Sequence, residues 1–213
     1  MSTTQLDTLN RRLANERYSP ILLPYHEVPK DLQSYLKDLQ EDEKSENNGT
    51  VRDAMSLLGH RINYLIEEYH RHRLRKISDH PFLYTREEML HLLTTSELVY
   101  ARGLKDLLLQ TLQRGYMDRL KAKLPTETVI PIGTEHVNFD PIVILDEKLD
   151  ETTGSLVESL LHKMVVVTAL MNVETTGPGE RTLTLKPNET YILPFALIYE
   201  HVRMEQVLLR CSA

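Results

Sequence analysis

The feature that most restricts the fold of this chain is a run of apolar residues at steps of three and four between residues 50 and 77. The residues that fall at these steps are Met55, Leu58, Ile62, Leu65, Tyr69 and Lys76, and Ile66, Arg73 and Ile77 lie beside them. Residues three and four apart share a helix face, so the spacing predicts one amphipathic helix of about seven turns. Pro81 marks the end of this helix.

Further helices are predicted on both sides of the first. A second long helix is predicted from about residue 96 to residue 123, with Thr95 or Ser96 as its cap. Shorter helices are predicted at 3–17, 29–40 and 85–93. Apolar positions of the two N-terminal ones include Leu6, Leu9, Leu13, Tyr35, Leu36 and Leu39. The two long helices have more apolar surface than they can cover mutually. We therefore expect the isolated chain to be poorly soluble or self-associated.

After Pro125 the helical spacing stops and strand-like runs begin. The runs lie at 141–145, 164–170, 182–185 and 190–193, with turns at 174–179 and 186–189. A short helix is predicted at 156–163, and residues 195–210 are expected to begin as a helix. The predicted fold class is α+β. An N-terminal all-α domain with long antiparallel helices (1–125) precedes a linker (126–140) and a small β-rich domain (141–213).

So small a sheet buries limited apolar area and is expected to need a neighbour. The alternation in Thr182–Leu185 predicts one wet and one dry face, whereas Val165–Val167 predicts a strand covered on both faces. We expect the β-rich domain to dock onto a partner subunit. We also expect the helical domain to fold without residues 138–213.

Composition and charge exclude several classes of function. The net charge is −6, and residues 51–125 carry 13 basic and 9 acidic side chains, a local excess of 13 − 9 = 4. This is far from the strongly basic surface of a dedicated nucleic-acid binder. The single cysteine, Cys211, excludes an intrachain disulfide. No apolar stretch approaches the roughly 18 residues of a membrane span.

The residues expected of a catalytic or metal site are absent or badly spaced. His70 and His72 are two residues apart, so on a helix they point about 200° apart, unlike metal ligands at i and i+4. The chain has no glycine-rich phosphate loop and no G-x-S-x-G motif. We expect no enzyme activity, no cofactor and no metal.

The basic cluster, HRHRLRK at residues 70–76, is the charged feature that stands out. It could follow a phosphate backbone, where each cation releases counterions. It could equally offset the dipole at the end of its helix and pair with Glu67 and Glu68. Only Tyr69 adjoins it, so the cluster has no stacking platform for single strands. A structural or protein-facing role is favoured, and nucleic-acid binding stays the alternative.

Four segments follow the sequence patterns of one family. LANERYSPILL at 13–23 resembles the pattern NE(K/R)-x-x-P-x-L-L. RINYLIEEYHRHRLRKI at 61–77 resembles RI-x-Y, then Y-x-R-x-RL-x-KI, and is the most specific match. LTTSELVYAR at 93–102 resembles LS-x-x-E-x-x-(F/Y)-A, and YILPF at 191–195 with residues 202–209 resembles the C-terminal segment. On these residues the chain is similar to GINS complex subunits, specifically the SLD-five type (subunit four).

The resemblance implies a helical A domain before a small β-rich B domain, in a non-enzymatic nuclear protein. The implied partners are three sister GINS subunits in a heterotetramer, with the MCM ring and the CDC-forty-five protein in the replicative helicase. DNA polymerase epsilon would be linked indirectly, and contact with DNA would be indirect or weak. A direct nucleic-acid binder using the basic cluster and a generic helical adaptor are the alternatives.

The resemblance also directs attention to particular side chains. Those expected at protein interfaces are Tyr64, Tyr69, Arg71, Arg73, Leu74, Ile77, Tyr100, Tyr191 and Phe195. Leu65→Ala should destabilise the core by about 2–5 kcal/mol, whereas Arg73→Glu should spare the fold and weaken assembly.

The chain departs from the family in two places. Its N-terminus lacks the acidic start with which some members dock a replisome hub, and residues 147–180 are longer than usual.

Overall fold

The computed structural model describes residues 3–26, 30–46, 48–117, 154–177 and 182–211. Its N-terminal part contains the helices α1 (Thr3–Tyr18), α2 (Lys30–Ser45), α3 (Gly49–Asp79), α4 (Pro81–Tyr84) and α5 (Thr95–Leu112). A 3-10 helix, Glu87–Leu92, precedes α5, and a π-helical turn, Gln113–Met117, follows it. None of the described helices combines the length and apolarity needed to cross a membrane.

The C-terminal part consists mainly of short strands. Residues 154–161 are helical (α6). The strands β1 (Met164–Ala169), β2 (Val173–Thr176), β3 (Thr182–Leu185) and β4 (Thr190–Pro194) follow, then helix α7 (Phe195–Arg203) and strand β5 (Val207–Arg210). The predicted fold class is confirmed, because a helical N-terminal region precedes a small region of antiparallel strands.

The chain divides into two compact units. Met1–Lys76 and Ser159–Ala213 form the first, and Ile77–Glu158 forms the second. The first unit therefore combines N-terminal helices with the C-terminal strands. The predicted linker at 126–140 and the predicted strand at 141–145 lie outside the described residues. The domain boundaries proposed from the sequence stay a prediction.

In the first unit, the apolar faces predicted for α1, α2 and α3 form one helical core. Its buried residues are Leu9, Leu36, Leu39, Ile62 and Leu65. The partly buried residues around them are Leu6, Leu13, Tyr35, Met55, Leu58 and Ile66. Spacing of three and four residues places such side chains on one side of each helix. The prediction of these three apolar faces is confirmed.

The first unit also contains a three-stranded antiparallel sheet in the order β4-β1-β5. Val165 and Val167 of β1 lie on its buried face. Val166 points to the other face, where it is half-buried and pairs with the exposed Ile192 of β4. Thr168, on the same face as Val166, is buried. The expectation that β1 is covered on both faces is therefore met fully on one face and partly on the other. Helix α7 packs against β4 and β5.

Helix α1 joins the helical core of the first unit to this sheet. Its Leu9 belongs to the core, whereas Asn15 hydrogen-bonds to the backbone of β5. Arg12 adds an ion pair with Glu205, with 2.7 Å between Nε and Oε1. The sequence predicts helical and β-rich parts that fold as separate domains. The contacts of α1 instead tie parts of both into one compact unit.

The second unit contains α4, the 3-10 helix and α5, and α4 packs against α5. Helix α5 begins with a capping box. The Glu97 backbone N–H donates to Thr94 Oγ1 at 3.2 Å, and the Thr94 N–H donates to Glu97 Oε2 at 2.9 Å. The cap is therefore Thr94, and the prediction of Thr95 or Ser96 is wrong. The glutamate three positions later selects Thr94, because only that spacing allows the reciprocal pair of hydrogen bonds.

Three further element boundaries differ from the predictions. The α-helical part of α5 ends at Leu112 rather than residue 123, and residues 118–123 lie outside the described chain. Residues 173–176 form β2, so the predicted turn is wrong at its start. Strand β5 was missed altogether, because four residues beside a helix carry too little periodicity. The alternation predicted for β3 is confirmed, with both threonines exposed and Leu185 buried.

Candidate functional site

Two of the sequence motifs meet in a buried network of charges within the first unit. Arg73 Nη1 on α3 donates to Glu16 Oε2 on α1 at 3.2 Å and to the Leu23 carbonyl at 2.7 Å. Lys76 Nζ donates to Glu16 Oε1 at 2.7 Å and to the Ile21 carbonyl at 2.9 Å. It also donates to the Glu16 carbonyl. Each cation therefore links segment 13–23 to segment 61–77.

Aromatic rings complete the surroundings of Arg73. Its guanidinium carbon lies 5.3 Å from the ring centroid of Tyr25 and 5.7 Å from that of Tyr69, within the range of cation–π attraction. Arg73 is 0% exposed and Glu16 is 1% exposed. Burial lowers the pKa of Lys76, although the Glu16 carboxylate acts in the opposite direction. Buried charges are tolerated only when paired and hydrogen-bonded, so removing one member of the network would leave an unpaired buried charge and destabilise the fold.

The basic cluster is consequently divided between the interior and the surface. Arg73 and Lys76 are directed towards Glu16 in the interior. Arg71 and Arg75 are exposed, and Arg71 is engaged by Glu68 one turn earlier. A phosphate-binding surface needs its cations accessible on one face. This arrangement leaves few of them available.

Several side chains predicted at protein interfaces are buried within the chain itself. They are Tyr69, Arg73, Ile77 and Phe195. Tyr69 and Arg73 belong to the network, and the Phe195 ring contacts Tyr199 edge-on, with centroids 5.8 Å apart. These assignments are corrected, because a side chain without exposed surface has nothing to offer a partner in this conformation.

The remaining interface candidates keep some accessible surface: Tyr64, Arg71, Leu74, Tyr100 and Tyr191. In the second unit, the hydroxyl oxygens of Tyr100 and Ser78 lie 2.8 Å apart. In the first unit, the Tyr191 hydroxyl donates to Glu189 Oε2 at 2.6 Å and accepts from the Lys186 N–H at 2.9 Å. Hydrogen bonding to Glu189 raises the pKa of Tyr191. The role of these five side chains at an interface stays a prediction.

Helix α3 exposes apolar side chains in a stripe that the helical core does not use. Leu57 is 72% exposed and Tyr64 is 58% exposed, and they lie two turns apart on one face. Ala54 and Arg61 continue the face, and these four residues are called the α3 stripe. They line part of a shallow surface groove. Large apolar side chains exposed in a row are typical of a protein–protein contact.

Helix α5 of the second unit is even less covered. Only Glu97 and Ala101 are buried among its 18 residues. Val99 is 68% exposed and Leu107 is 59% exposed. Gly103 lies between them at four-residue spacing with open space around it. Val99, Gly103 and Leu107 are called the α5 stripe.

The described residues contain no group of three or more His, Cys, Asp or Glu side chains that could hold a metal ion. The clearest functional features in this part of the chain are the two exposed stripes.

Residues 31–114 match Sld5, the GINS complex protein helical bundle domain. The match contains both stripes and the two motif segments 61–77 and 93–102. It covers less than half of the 213 residues, and segment 13–23 and the C-terminal strands lie outside it. No match was found among curated proteins. The match supports a place for this chain in the GINS family, as the motifs indicated.

The GINS-like motif at 13–23 contains two residues whose roles sequence reasoning missed. The sequence pattern contains Asn15 and Glu16 but indicates no partner for either. Glu16 faces Arg73 and Lys76, whereas Asn15 faces β5. The available signal was an acidic residue at helical spacing from Leu9 and Leu13, in a chain whose longest helix carries a basic cluster. That signal could not identify which cations turn inwards.

Proposed function

We propose that this chain is a non-catalytic structural subunit of a heterotetrameric GINS complex, of the SLD-five type (subunit four). In this role it supports the replicative helicase during initiation and elongation of DNA replication. The observation that carries the proposal is the family match over residues 31–114. GINS proteins are complex subunits rather than enzymes, and the exposed stripes within the matched region suit that role.

The exposed stripes give a physical reason to expect stable partners. Leu57 and Tyr64 on α3, and Val99 and Leu107 on α5, remain in contact with water in the isolated chain. Burying apolar surface contributes about 25 cal/mol per Å², so covering both stripes would favour association. Obligate interfaces commonly bury roughly 2,000 Å² or more. Helices from sister subunits are the partners that we propose for the two stripes.

The wider set of partners follows from the proposed complex. We propose three sister GINS subunits as direct partners, and the MCM ring and the CDC-forty-five protein as partners within the helicase. DNA polymerase epsilon would be linked indirectly through the assembled particle. The proposed site of action is the nucleus. These proposals rest on the family match and on the motif resemblance.

Direct nucleic-acid binding through the basic cluster gains no support from the geometry. Arg73 and Lys76 are bonded to Glu16, and Arg71 pairs with Glu68. Losing cations from the accessible surface reduces the counterion release that drives binding to phosphates. DNA contact, if the assembled complex makes it, would use little of this cluster.

Affinity purification of the tagged full-length chain with mass spectrometry tests the proposal. We expect three sister GINS chains in equimolar amounts. We also expect the MCM ring and the CDC-forty-five protein in smaller amounts that fall as salt is raised. Recovery of none of the three sister chains would contradict the proposal. Steeply salt-dependent binding of the purified chain to DNA would instead favour the nucleic-acid alternative.

A further inference from the structure

One side chain of α1 lies against an open edge of the C-terminal sheet in the first unit. Strand β5 is at an edge of the order β4-β1-β5, so part of its backbone faces away from β1. Asn15 Nδ2 donates to the Val207 carbonyl at 3.2 Å, and the Leu209 N–H donates to Asn15 Oδ1 at 2.8 Å. Both hydrogen bonds are buried, and Asn15 itself is 3% exposed.

We propose that Asn15 is a latch that fixes the sheet to α1 and closes the β5 edge against strands of other chains. A side-chain amide has an N–H donor and a carbonyl acceptor, as a backbone peptide group does. Asn15 hydrogen-bonds through both groups to Val207 and Leu209, the residues on either side of Leu208. One residue of a neighbouring strand would bond to the same two positions. A second strand cannot pair with these groups while α1 is in place.

The need to satisfy buried polar groups explains why this helix position holds asparagine. An apolar residue at position 15 would leave the Val207 carbonyl and the Leu209 N–H without these partners in a buried site. Leaving buried backbone groups unpaired is costly, and native proteins rarely do so. An open strand edge is also a template for pairing with another chain. The Asn15 amide both pairs the buried backbone groups and covers this part of the strand edge.

Neighbouring residues of α1 strengthen the latch and connect it to α3. Arg12, three residues before Asn15, pairs with Glu205 just before β5 begins. Glu16, the next residue, points about 100° away on the helix and pairs with Arg73 and Lys76 of α3. Helix α1 therefore holds the sheet with one side chain and the long helix with the next. This role is independent of the proposed function, because it concerns contacts within the chain.

Hydrogen exchange at the Leu209 amide of the full-length chain tests the latch. Asn15→Ala removes both hydrogen bonds, and Asn15→Leu removes them while refilling the space. Exchange at Leu209 should accelerate roughly tenfold or more in both variants, as expected from the lost bonds and the freed edge. Asn10→Ala is the matched control. Asn10 is a half-buried residue of the same helix without a described bond to β5.

The outcomes of the exchange experiment separate the latch from a passive contact. The latch is supported if Leu209 loses protection in the Asn15 variants and keeps normal protection in Asn10→Ala. Protection elsewhere in the first unit can fall at the same time as that of Leu209 or later. Unchanged protection of Leu209 in both Asn15 variants overturns it. Sedimentation velocity tests the closed edge separately. Asn15→Leu should form larger species than the unaltered chain at equal concentration, and identical distributions would overturn that part of the proposal.

Discussion

At the scale of single residues, Arg73 is held by groups of its own chain. Arg73→Met keeps the length of the side chain but removes one cation from the buried Glu16 carboxylate. Breaking a buried ion pair by removing one partner costs about 3–5 kcal/mol. We expect the free energy of unfolding, measured by urea denaturation, to fall by about that amount. Arg73→Glu should lower the free energy of unfolding further, because it would place a second carboxylate beside Glu16. The burial of Arg73 therefore argues against the expectation from the sequence that Arg73→Glu spares the fold.

The matched control for Arg73 is Arg75, two residues away on the same helix. Arg75 is exposed, so Arg75→Met should change the free energy of unfolding by no more than about 0.5 kcal/mol. Equal stability of the two methionine variants would show that the buried network contributes little.

His26 is expected to make the chain less stable in mild acid. Burial lowers the pKa of His26 below the ordinary 6.5, the nearby Arg12 lowers it further, and Glu205 partly opposes them. The unfolded chain then binds the proton more readily, so stability is lost as pH falls from about 6.5 through the folded-state pKa. The urea midpoint should therefore drop between about pH 7 and pH 5, and drop less in His26→Gln. His60→Gln, exposed on α3, is the control, and an equal drop in all three proteins would exclude this role.

At the scale of elements, α3 separates a core-facing side from a partner-facing side. Leu57→Ser with Tyr64→Ser should leave the free energy of unfolding within about 1 kcal/mol, because both side chains are largely exposed. The same pair should reduce co-purification of sister subunits at least about tenfold, since apolar contact area is lost. Leu65→Ala, on the core-facing side, should instead cost about 2–5 kcal/mol of stability.

A second double variant on α3 controls for changes in helix propensity. Asn63→Ser with Glu67→Ser alters exposed residues outside the α3 stripe. Co-purification of sister subunits should be normal in this variant. If both double variants assemble equally well, the α3 stripe is not part of the interface.

At the scale of the whole molecule, the C-terminal strands and the N-terminal helices depend on each other within the first unit. Deleting residues 138–213 removes β5 and with it the partners of Asn15. We expect hydrogen exchange in α1 to accelerate strongly in the truncated chain, because α1 loses contacts on one side. Full protection of α1 after truncation would show that the sheet is an appendage. In that case the sequence-based expectation of an independent helical domain would stand.

The sequence predicts well those features that depend on neighbours along the chain. Leu9, Leu36 and Ile62 repeat at helical spacing with their own neighbours, so their burial could be inferred from each helix alone. The capping box at Thr94 is equally local, and only the choice among adjacent hydroxyls was wrong. Strand β5 was not predicted because its four residues form a strand by pairing with β1, which lies many residues earlier in the chain.

By itself the sequence determined the helical faces, the order of a helical region before antiparallel strands, and a set of GINS-like motifs. These features depend on residues only a few positions apart. The apolar face of a helix is therefore the same wherever the helix packs in the folded protein. Tertiary structure alone decided that Arg73 and Lys76 turn inwards while Arg71 and Arg75 stay outside. Their direction depends on Glu16, 57 and 60 positions away from the two buried cations, and on carbonyl groups that only folding brings near.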